Sequence, residues 1–403
     1  MSGWRTLQLG EVAHFIRGVT FKPADVVQAG TEGSIPCMRT KNVQQDLDLS
    51  DVWWIGQTHV KRDEQYLKEG DLLISSANSW NLVGKCSWVP ELEQKSTFGG
   101  FVTVLRADRR QVDPRYLYRF FSSLQVQGIV RSFARQTTNI SNLDLKRCSA
   151  LPLPLPPIEE QRRIAAILDH ADALRAKRRE ALARLDELTQ SIFIDMFGTL
   201  SANDMDWPTV EFESVMLEGP QNGLYKPSSE YGSGARILRI DGFHNGVPIK
   251  PDSLKRVRVD GAEEKKYALH MNDIIINRVN SIEHLGKSAI VPALDQVVVF
   301  ESNMMRITLN EDLISPTFCL AQLQSSYLRG QIVLAAKDAV NQSSINQTDV
   351  KSFQLRLPPL ERQQDYASRV GRLGEISRLH RTALGELDAL FASLQSRAFR
   401  GEL

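Results

Sequence analysis

Asp252, Glu264 and Lys266 are the residues whose types and spacing come nearest to catalysis. Pro251-Asp252 followed by Glu264-x-Lys266 is the order in which a magnesium-dependent nuclease carries its metal ligands and its cation. The pattern is short, common by chance and set in undistinguished surroundings, so alone it assigns no chemistry. A phosphate cradle fails more directly. "GKS" at Gly286–Ser288 resembles the end of a Walker A loop, yet Ser281 stands where that loop needs glycine, and "GKC" at Gly84–Cys86 has Ser79 there. An adenine methyltransferase carries Asn/Asp-Pro-Pro-aromatic, whereas the two Pro-Pro pairs here follow Leu155 and Leu357. The seven histidines show no metal-ligand spacing, and no Gly-x-Ser-x-Gly elbow occurs. Cys37, Cys86, Cys148 and Cys319 form no Cys-x-x-Cys pair and read as buried or incidental thiols of a reducing compartment. No catalytic residue and no metal site is expected.

Recognition chemistry is better represented. Arg, Lys, Asn and Gln read base edges in the major groove, and Ser and Thr serve phosphates or bases. "MRTKNVQ" (38–44) offers Arg39, Lys41 and Asn42, and "LRIDGFHNG" (238–246) offers Arg239. "FARQTTNISN" (133–142) offers Arg135, Gln136, Thr137 and Asn139, while "AAKDAVNQSSIN" (335–346) offers Lys337, Asn341 and Gln342. A further element occurs twice: Asn78-Ser79-x4-Gly84-Lys85 and, with Arg278 just ahead of it, Asn280-Ser281-x4-Gly286-Lys287. It reads equally as a structural hairpin or as a loop presenting amide, hydroxyl and ammonium groups to DNA. On the second reading Lys85 and Lys287 meet phosphates. Arg39, Asn42, Arg135, Gln136, Arg239 and Asn341 are the base readers. Any one of these residues could equally sit in a solvated loop; their shared placement raises them as a group.

That placement comes from an internal repeat. Asp71 and Asp273, Gly84 and Gly286, Pro156 and Pro358, and Phe197 and Phe399 are all 202 positions apart. Between residues 71–90 and 273–292, 8 of 20 positions are identical without a gap, where unrelated segments share roughly one or two. "WRTLQLGEV" at Trp4 is likewise similar to "WPTVEFESV" at Trp207. Each half opens with a mixed region of short β-rich runs such as "DLLIS", "FVTVL" and "DIIIN", split by Gly, Asn and Pro. A frame kept twice with different polar inserts suits two readers of two different sequences.

Each half then narrows to a proline-rich stretch, "LPLPLPPIEEQRRIAAIL" (151–168) or "LRLPPLERQQDYASRV" (355–370). Proline fixes φ and forces the preceding residue out of the helical region, so the stretch is an extended, stiff strap. Pro157 and Pro359 stand just ahead of a helix, and Glu159, Glu160 and Glu361 suit its positive N-terminus. The junction predicts a rigid exit into a helix at a fixed angle. Helices are expected from about 158 to 197 and from about 360 to 399. A seven-residue pattern runs through Ile164, Ile167, Ala171, Leu174, Arg178, Ala181, Leu185, Leu188 and Ile192. Its counterpart runs through Ile376, His380, Ala383, Leu387, Leu390 and Leu394. The two helices are expected to pair as an antiparallel coiled coil, with Arg178 or His380 as a polar layer that fixes register. That pairing places the halves in a pseudo-two-fold arrangement.

Composition sets outer limits. Apolar residues make up 42% and charged residues 24% of 403, enough for two or three cores. The net charge of +1 gives no bulk signal for nucleic acid, so DNA contact must come from local patches or be shared with a partner. No apolar run reaches the roughly 18 residues of a membrane span, and "MSGWRTLQLG" lacks a signal-peptide core. A cytoplasmic location with no membrane contact is expected.

The chain resembles the specificity subunits of type I restriction–modification systems. "LPLPLPPIEEQRRIAAILD" with its echo "LPPLERQQ", the "SIFIDMFG" helix end and "SRAFRGEL" carry the resemblance, which spans essentially the whole sequence. It implies an α+β fold with two target recognition domains, 1–157 and 200–359, separated by long spacer helices, 158–199 and 360–403. Each domain would read one part of an interrupted double-stranded DNA target. The helices would set the spacing and dock two methyltransferase subunits, and a restriction and translocase subunit would join that core. S-adenosylmethionine, ATP and magnesium would bind the partners, and this chain would hold no cofactor. The strap "SALPLPLPP" is longer than "SFQLRLPP", which leaves the two exit angles open to difference. A nuclease and a coiled-coil adaptor without DNA contact remain the alternatives.

Overall fold

The computed structural model describes residues 4–136, 140–243, 249–339 and 342–403. The chain divides into two compact units, one formed by Met1–Arg179 with Thr382–Leu403, the other by Glu180–Arg381. Helix and sheet are mixed in both, as the sequence predicts.

The first unit is built on a four-stranded antiparallel sheet. Its strands lie in the order 13–17, 102–107, 72–75, 86–88. The strand Leu72–Ser75 is buried throughout, which is why it reads as a continuous apolar run rather than an alternating one. Its counterpart Ile274–Asn277 sits in the same place in the second unit, between 304–309 and 288–290. Registers repeat with the sequence offset. Leu72 faces Trp88 as Ile274 faces Ile290, and Val102 faces Ser75 as Met304 faces Asn277. A second sheet differs: it has four strands in the first unit (26–27, 53–56, 34–38, 97–98) and three in the second (255–257, 231–238, 298–300).

Gly18 and Gly223 hold equivalent positions for a steric reason. A Cβ there would lie 2.2 Å from the carbonyl oxygen of Gly99 or Glu301 respectively, so no side chain fits.

The prolines of the strap are accommodated in a strand. Pro152–Leu155 pairs antiparallel with Arg5–Gln8, and Gln354–Arg356 pairs with Thr209–Glu211. A two-stranded ladder has an open edge, where the missing N–H of proline costs little. The expected extended strap is therefore extended, and it is also tied to the first strand of its own unit. The helices follow at once, Ile158–Phe197 and Leu360–Ala398.

A buried glutamine fixes each exit. Gln161 Oε1 accepts from the Asp113 amide at 2.8 Å, and its Nε2 donates to the carbonyls of Pro156 (2.9 Å) and Gln111 (3.2 Å). Gln363 does the same, accepting from the Ser315 amide at 2.9 Å and donating to Pro358 (2.8 Å) and Leu313 (3.3 Å). Both side chains are buried. Both N–H donors and the oxygen of each amide are engaged, three bonds in all, which holds the helix in one orientation.

Within each unit the helix segments run antiparallel. In the first, Arg163 donates to the Leu403 carbonyl and Arg175 bonds Asp388 at 2.6 Å. Phe399 stacks edge-on against Tyr116 and Phe120. In the second, Phe193 and Phe197 meet Tyr366 and Phe318. The contact stripe differs from the predicted seam. Ile164 is buried and Ile167, Leu185 and Leu387 are partly buried, but Leu174, Leu188, Ile376 and Leu390 are 39–50% exposed. A strict seven-residue seam would have enclosed them. Here the two ends of each helix pack on globular cores. The buried stripe of the first helix therefore runs through Gln161, Ile164, Ala165, Leu168 and Ala171 at its start and Met196 and Phe197 at its end.

Candidate nucleic-acid interface

Three segments far apart in sequence form one small sheet in the first unit. Ala134–Gln136 pairs with Ser141–Leu143, which pairs with Ala77–Asn78. Gln136 faces Ser141, and Ser141 faces Asn78. The second unit builds the same sheet from Lys337–Ala339, Gln342–Ser344 and Val279–Asn280. Arg135 faces Asn142 as Lys337 faces Ser344, and Asn78 faces Ser141 as Asn280 faces Ser343. Arg135, Gln136 and Asn78 are thus brought together, and so are Lys337, Gln342 and Asn280. Thr137, Asn139 and Asn341 lie outside the described residues.

The exposed members keep their polar ends available. Arg135 is 84% exposed and bonds only loosely to Asp144, at 3.1 Å. The Asp144 carboxyl lies below the usual carboxylate range, held there first by the Arg147 amide and also by the Arg135 charge. Gln136, Lys337, Gln342, Ser79 and Ser281 are exposed. Asn78 and Asn280 accept from the amides of Ser79 and Ser281, each at 2.8 Å, which starts the turn that follows.

That turn resolves the repeated Asn-Ser-x4-Gly-Lys element. It is a hairpin connection, and its glycine is doubly constrained. Gly84 and Gly286 have φ of +84° and +76°. A Cβ on them would approach Val130 to 2.8 Å and Ile332 to 2.5 Å, both on the helix behind the turn. The lysine after it holds a neighbouring loop. Lys85 Nζ bonds the Gln44 side chain, while Lys287 Nζ donates to the carbonyls of Ile240 (2.6 Å) and Phe243 (2.8 Å). Burial lowers the Lys287 pKa. Where a phosphate role was expected for these lysines, both amines are engaged with the loop beside them.

The loop after strand 34–38 also departs from expectation. Asn42 is fully buried. Its Oδ1 accepts from the Arg39 amide at 2.7 Å and its Nδ2 donates to the carbonyls of Asp48 (2.8 Å) and Asp51 (3.0 Å). No edge of that amide is left for a base, so Asn42 shapes the loop. Arg39 lies over Trp53, 4.0 Å from the ring centroid, and pairs with Asp51 at 3.2 Å. Lys41 bonds the same carboxylate but is 60% exposed. In the second unit Arg239 pairs with Glu301 at 3.3 Å, and Arg278 donates to the Ser302 carbonyl at 3.2 Å.

Two members of the nuclease pattern serve other ends. Asp252 is exposed and bonds Arg236 at 2.6 Å, and Lys266 lies over Tyr267. Among the described residues no group of His, Cys, Asp and Glu is placed to hold a metal. All four cysteines are buried and free, and burial pushes Cys37, Cys86 and Cys148 up to about 12. No described helix is long and apolar enough to cross a membrane.

Sequence reasoning missed the two exit glutamines and the loop-holding lysines as positioning residues. The signal was present, since Gln161 and Gln363 keep the 202-residue offset. What it lacked was the partner set, which is entirely backbone.

Known proteins share this architecture. The chain is 26% identical over 418 residues to the StySPI specificity subunit of Salmonella potsdam, covering 100% of this chain and 89% of that one. It is 25% identical over 420 residues to the EcoKI specificity subunit of Escherichia coli K12, with the same coverage. Among solved structures, the type I restriction-modification S subunit from M. genitalium superposes with a TM-score of 0.58 at 14% identity, over 98% of this chain and 96% of that one. A chain from a structure of a type I R-M system gives 0.52 at 18% identity, over 100% and 99%. Both show the fold. The model of the type I restriction modification DNA specificity domain matches residues 1–184 and again 232–389. The repeat read from the sequence and the paired sheets are thus one domain type used twice, and the chain belongs to the type I restriction modification DNA specificity domain family.

Proposed function

We propose that this chain is the sequence-recognition subunit of a type I restriction–modification complex and is itself non-catalytic. The region 1–157 reads one part of an interrupted double-stranded DNA target, and 200–359 reads the other. The observation that carries this reading is the small polar sheet built twice. Its register is kept at a constant offset while exposed side chains change, from Arg135 to Lys337 and from Ile140 to Gln342. A constant frame with variable hydrogen-bonding groups is what two independent base readers need.

The long helices would hold the spacing and dock two methyltransferase subunits. Exposed Leu174, Leu188, Ile376, Leu379 and Leu390 support that reading, because a stripe of exposed aliphatic residues on a helix marks a contact surface. S-adenosylmethionine, ATP and magnesium would act on the methyltransferase and restriction subunits. The net charge of +1 fits a shared DNA channel, with the partners supplying much of the positive surface.

The test is an exchange in the assembled complex. Residues 1–157 are replaced by the corresponding region of a relative with a different target, and methylated bases are mapped across a genome. One half of the methylated motif should change and the other should stay. If both halves change, or neither does, the reading is wrong.

A further inference from the structure

Four large apolar side chains stand exposed around the polar sheet of the first unit. They are Trp80 (41%), Leu82 (45%), Phe101 (65%) and Ile140 (44%). Trp80 and Leu82 lie in the hairpin turn that starts at Asn78. The Phe101 carbonyl accepts from the amides of Ser76 and Ala77, which places its residue beside the strand Ala77–Asn78. Ile140 directly precedes Ser141, the residue that faces Asn78. The second unit keeps the backbone of this arrangement: the Asn303 carbonyl accepts from Arg278 and Val279 in the same way. Its side chains are different. The equivalent positions, 202 residues on, carry Ile282, His284, Asn303 and Gln342, and of these only Ile282 is a large apolar residue.

Water gains nothing from such a rim, and the exposed side chains of the intervening sheet, Arg135, Gln136 and Asn142, are hydrogen-bonding groups. A duplex presents apolar surface as thymine methyl groups in the major groove and as the faces of its base pairs. Only the faces, accessible when a step is unstacked, match the area of two aromatic rings. Apolar wedges inserted between base steps unstack them in proteins that kink DNA, and aromatic rings stack on the exposed bases. Resting on the DNA-reading role proposed above, we infer that the first unit, and not the second, wedges Trp80 and Phe101 into its half-site and unstacks one base step there. The hairpin turn is held for the task, since Gly84 seats it against Val130 and Lys85 ties it to the loop at Gln44. The first half-site then favours a flexible pyrimidine–purine step at the wedge, a preference read as deformability with no base contact. The second half-site is read without such a wedge.

The experiment uses the complex assembled with its methyltransferase subunits and duplexes carrying 2-aminopurine at successive positions of both half-sites other than the methylated adenines, because a methyltransferase takes its own target base out of the stack. The analogue brightens when it loses its stacking neighbours. Fluorescence should rise at one step of the first half-site on binding and stay flat through the second. Trp80→Ala combined with Phe101→Ala should abolish the rise and weaken binding about tenfold, while Ile282→Ala changes neither. Trp80→Phe should retain part of the rise, which separates wedging from damage to the fold. A flat signal through both half-sites, in a complex that binds and methylates its normal motif, overturns the inference. So does a double variant that loses its methyltransferase subunits while the DNA signal persists, for the rim is then a protein contact. If instead exchange of residues 1–157 leaves the motif unchanged, the DNA-reading role itself fails, which flat fluorescence alone would not imply.

Discussion

At the first junction between domain and helix, Arg119 is buried between Asp169 and Asp172, bonding them at 2.6 and 2.8 Å. Asp172 also bonds Arg175, which reaches Asp388. Burial alone would lower the Arg119 pKa, but the hydrogen bonds it donates to Asp172 and Asp169 raise it. The corresponding places at the second junction, 202 residues on, hold Ala321, Gly371, Gly374 and Ser377. Both junctions keep the same glutamine. The exit angle therefore rests on hydrogen bonds to the backbone, and the ion network is an addition made at one end only. Such a network adds little net stability when intact, yet breaking it leaves buried charge unpaired. The first junction should be the more fragile to substitution and the second the more tolerant.

The largest effect expected from that contrast comes from Arg119→Met. It removes one of two arginine partners from each carboxylate, since Asp169 keeps Arg115 and Asp172 keeps Arg175, each at 2.8 Å. The two lost charged hydrogen bonds should cost about 3 kcal/mol, read by denaturant unfolding with hydrogen exchange followed over residues 158–179. Replacing Asp169 and Asp172 by Asn in the same chain should recover little, because it also takes the carboxylates from Arg115 and Arg175. A cost below about 1 kcal/mol would mean that water already screens the network.

The shared device should behave alike at both ends. Gln161→Leu and Gln363→Leu each leave a buried amide and two carbonyls without partners, at a cost of about 2–3 kcal/mol apiece. Equal losses by the same measurement, each confined to its own unit, are the expected result. A twofold difference would show that the ion network, and not the glutamine, sets the first exit.

The smallest effect concerns the loop-holding lysines. Burial lowers the Lys287 pKa below that of an ordinary lysine, so the unfolded chain binds its proton more tightly than the folded one. The stability of the second unit should then rise as pH climbs from the lowered value towards the ordinary one near 10.4. Lys287→Met should remove that slope in pH-dependent unfolding. A slope that survives the substitution belongs to another group.

Much of this was legible in the sequence, and the reasons differ by element. The repeat, the helices and the straps were visible because a constant offset and proline chemistry are local signals. The polar sheet was visible only as separate loops, since pairing Asn78 with Ser141 is a long-range event with no local mark. Asn42 was misread because its type suits a base edge equally well as a backbone clamp, and only burial separates the two. The seam coincides with the packed stripe only in part: Ile164 and Ala171 are buried, while Leu174, Leu188, Ile376 and Leu390 are exposed. Heptad spacing assumes that a helix meets another helix, while Ile164 and Leu168 meet a globular core that includes Tyr116, Phe120 and Leu153.

The composition of the first unit bears on how the protein comes to be folded. Its core includes Ala398, with Phe399 and Leu403 packed against it, while the rest of that core ends at Leu168. Synthesis proceeds at about 5–20 residues per second, so some 10–45 seconds separate the appearance of Arg179 from that of Leu403. Throughout that interval Tyr116 and Phe120 lack the aromatic ring that covers them in the finished molecule. The second unit, Glu180–Arg381, is contiguous and can close as it emerges. The half made first is thus completed last, and its uncovered aromatic surface is what a nascent-chain chaperone would meet.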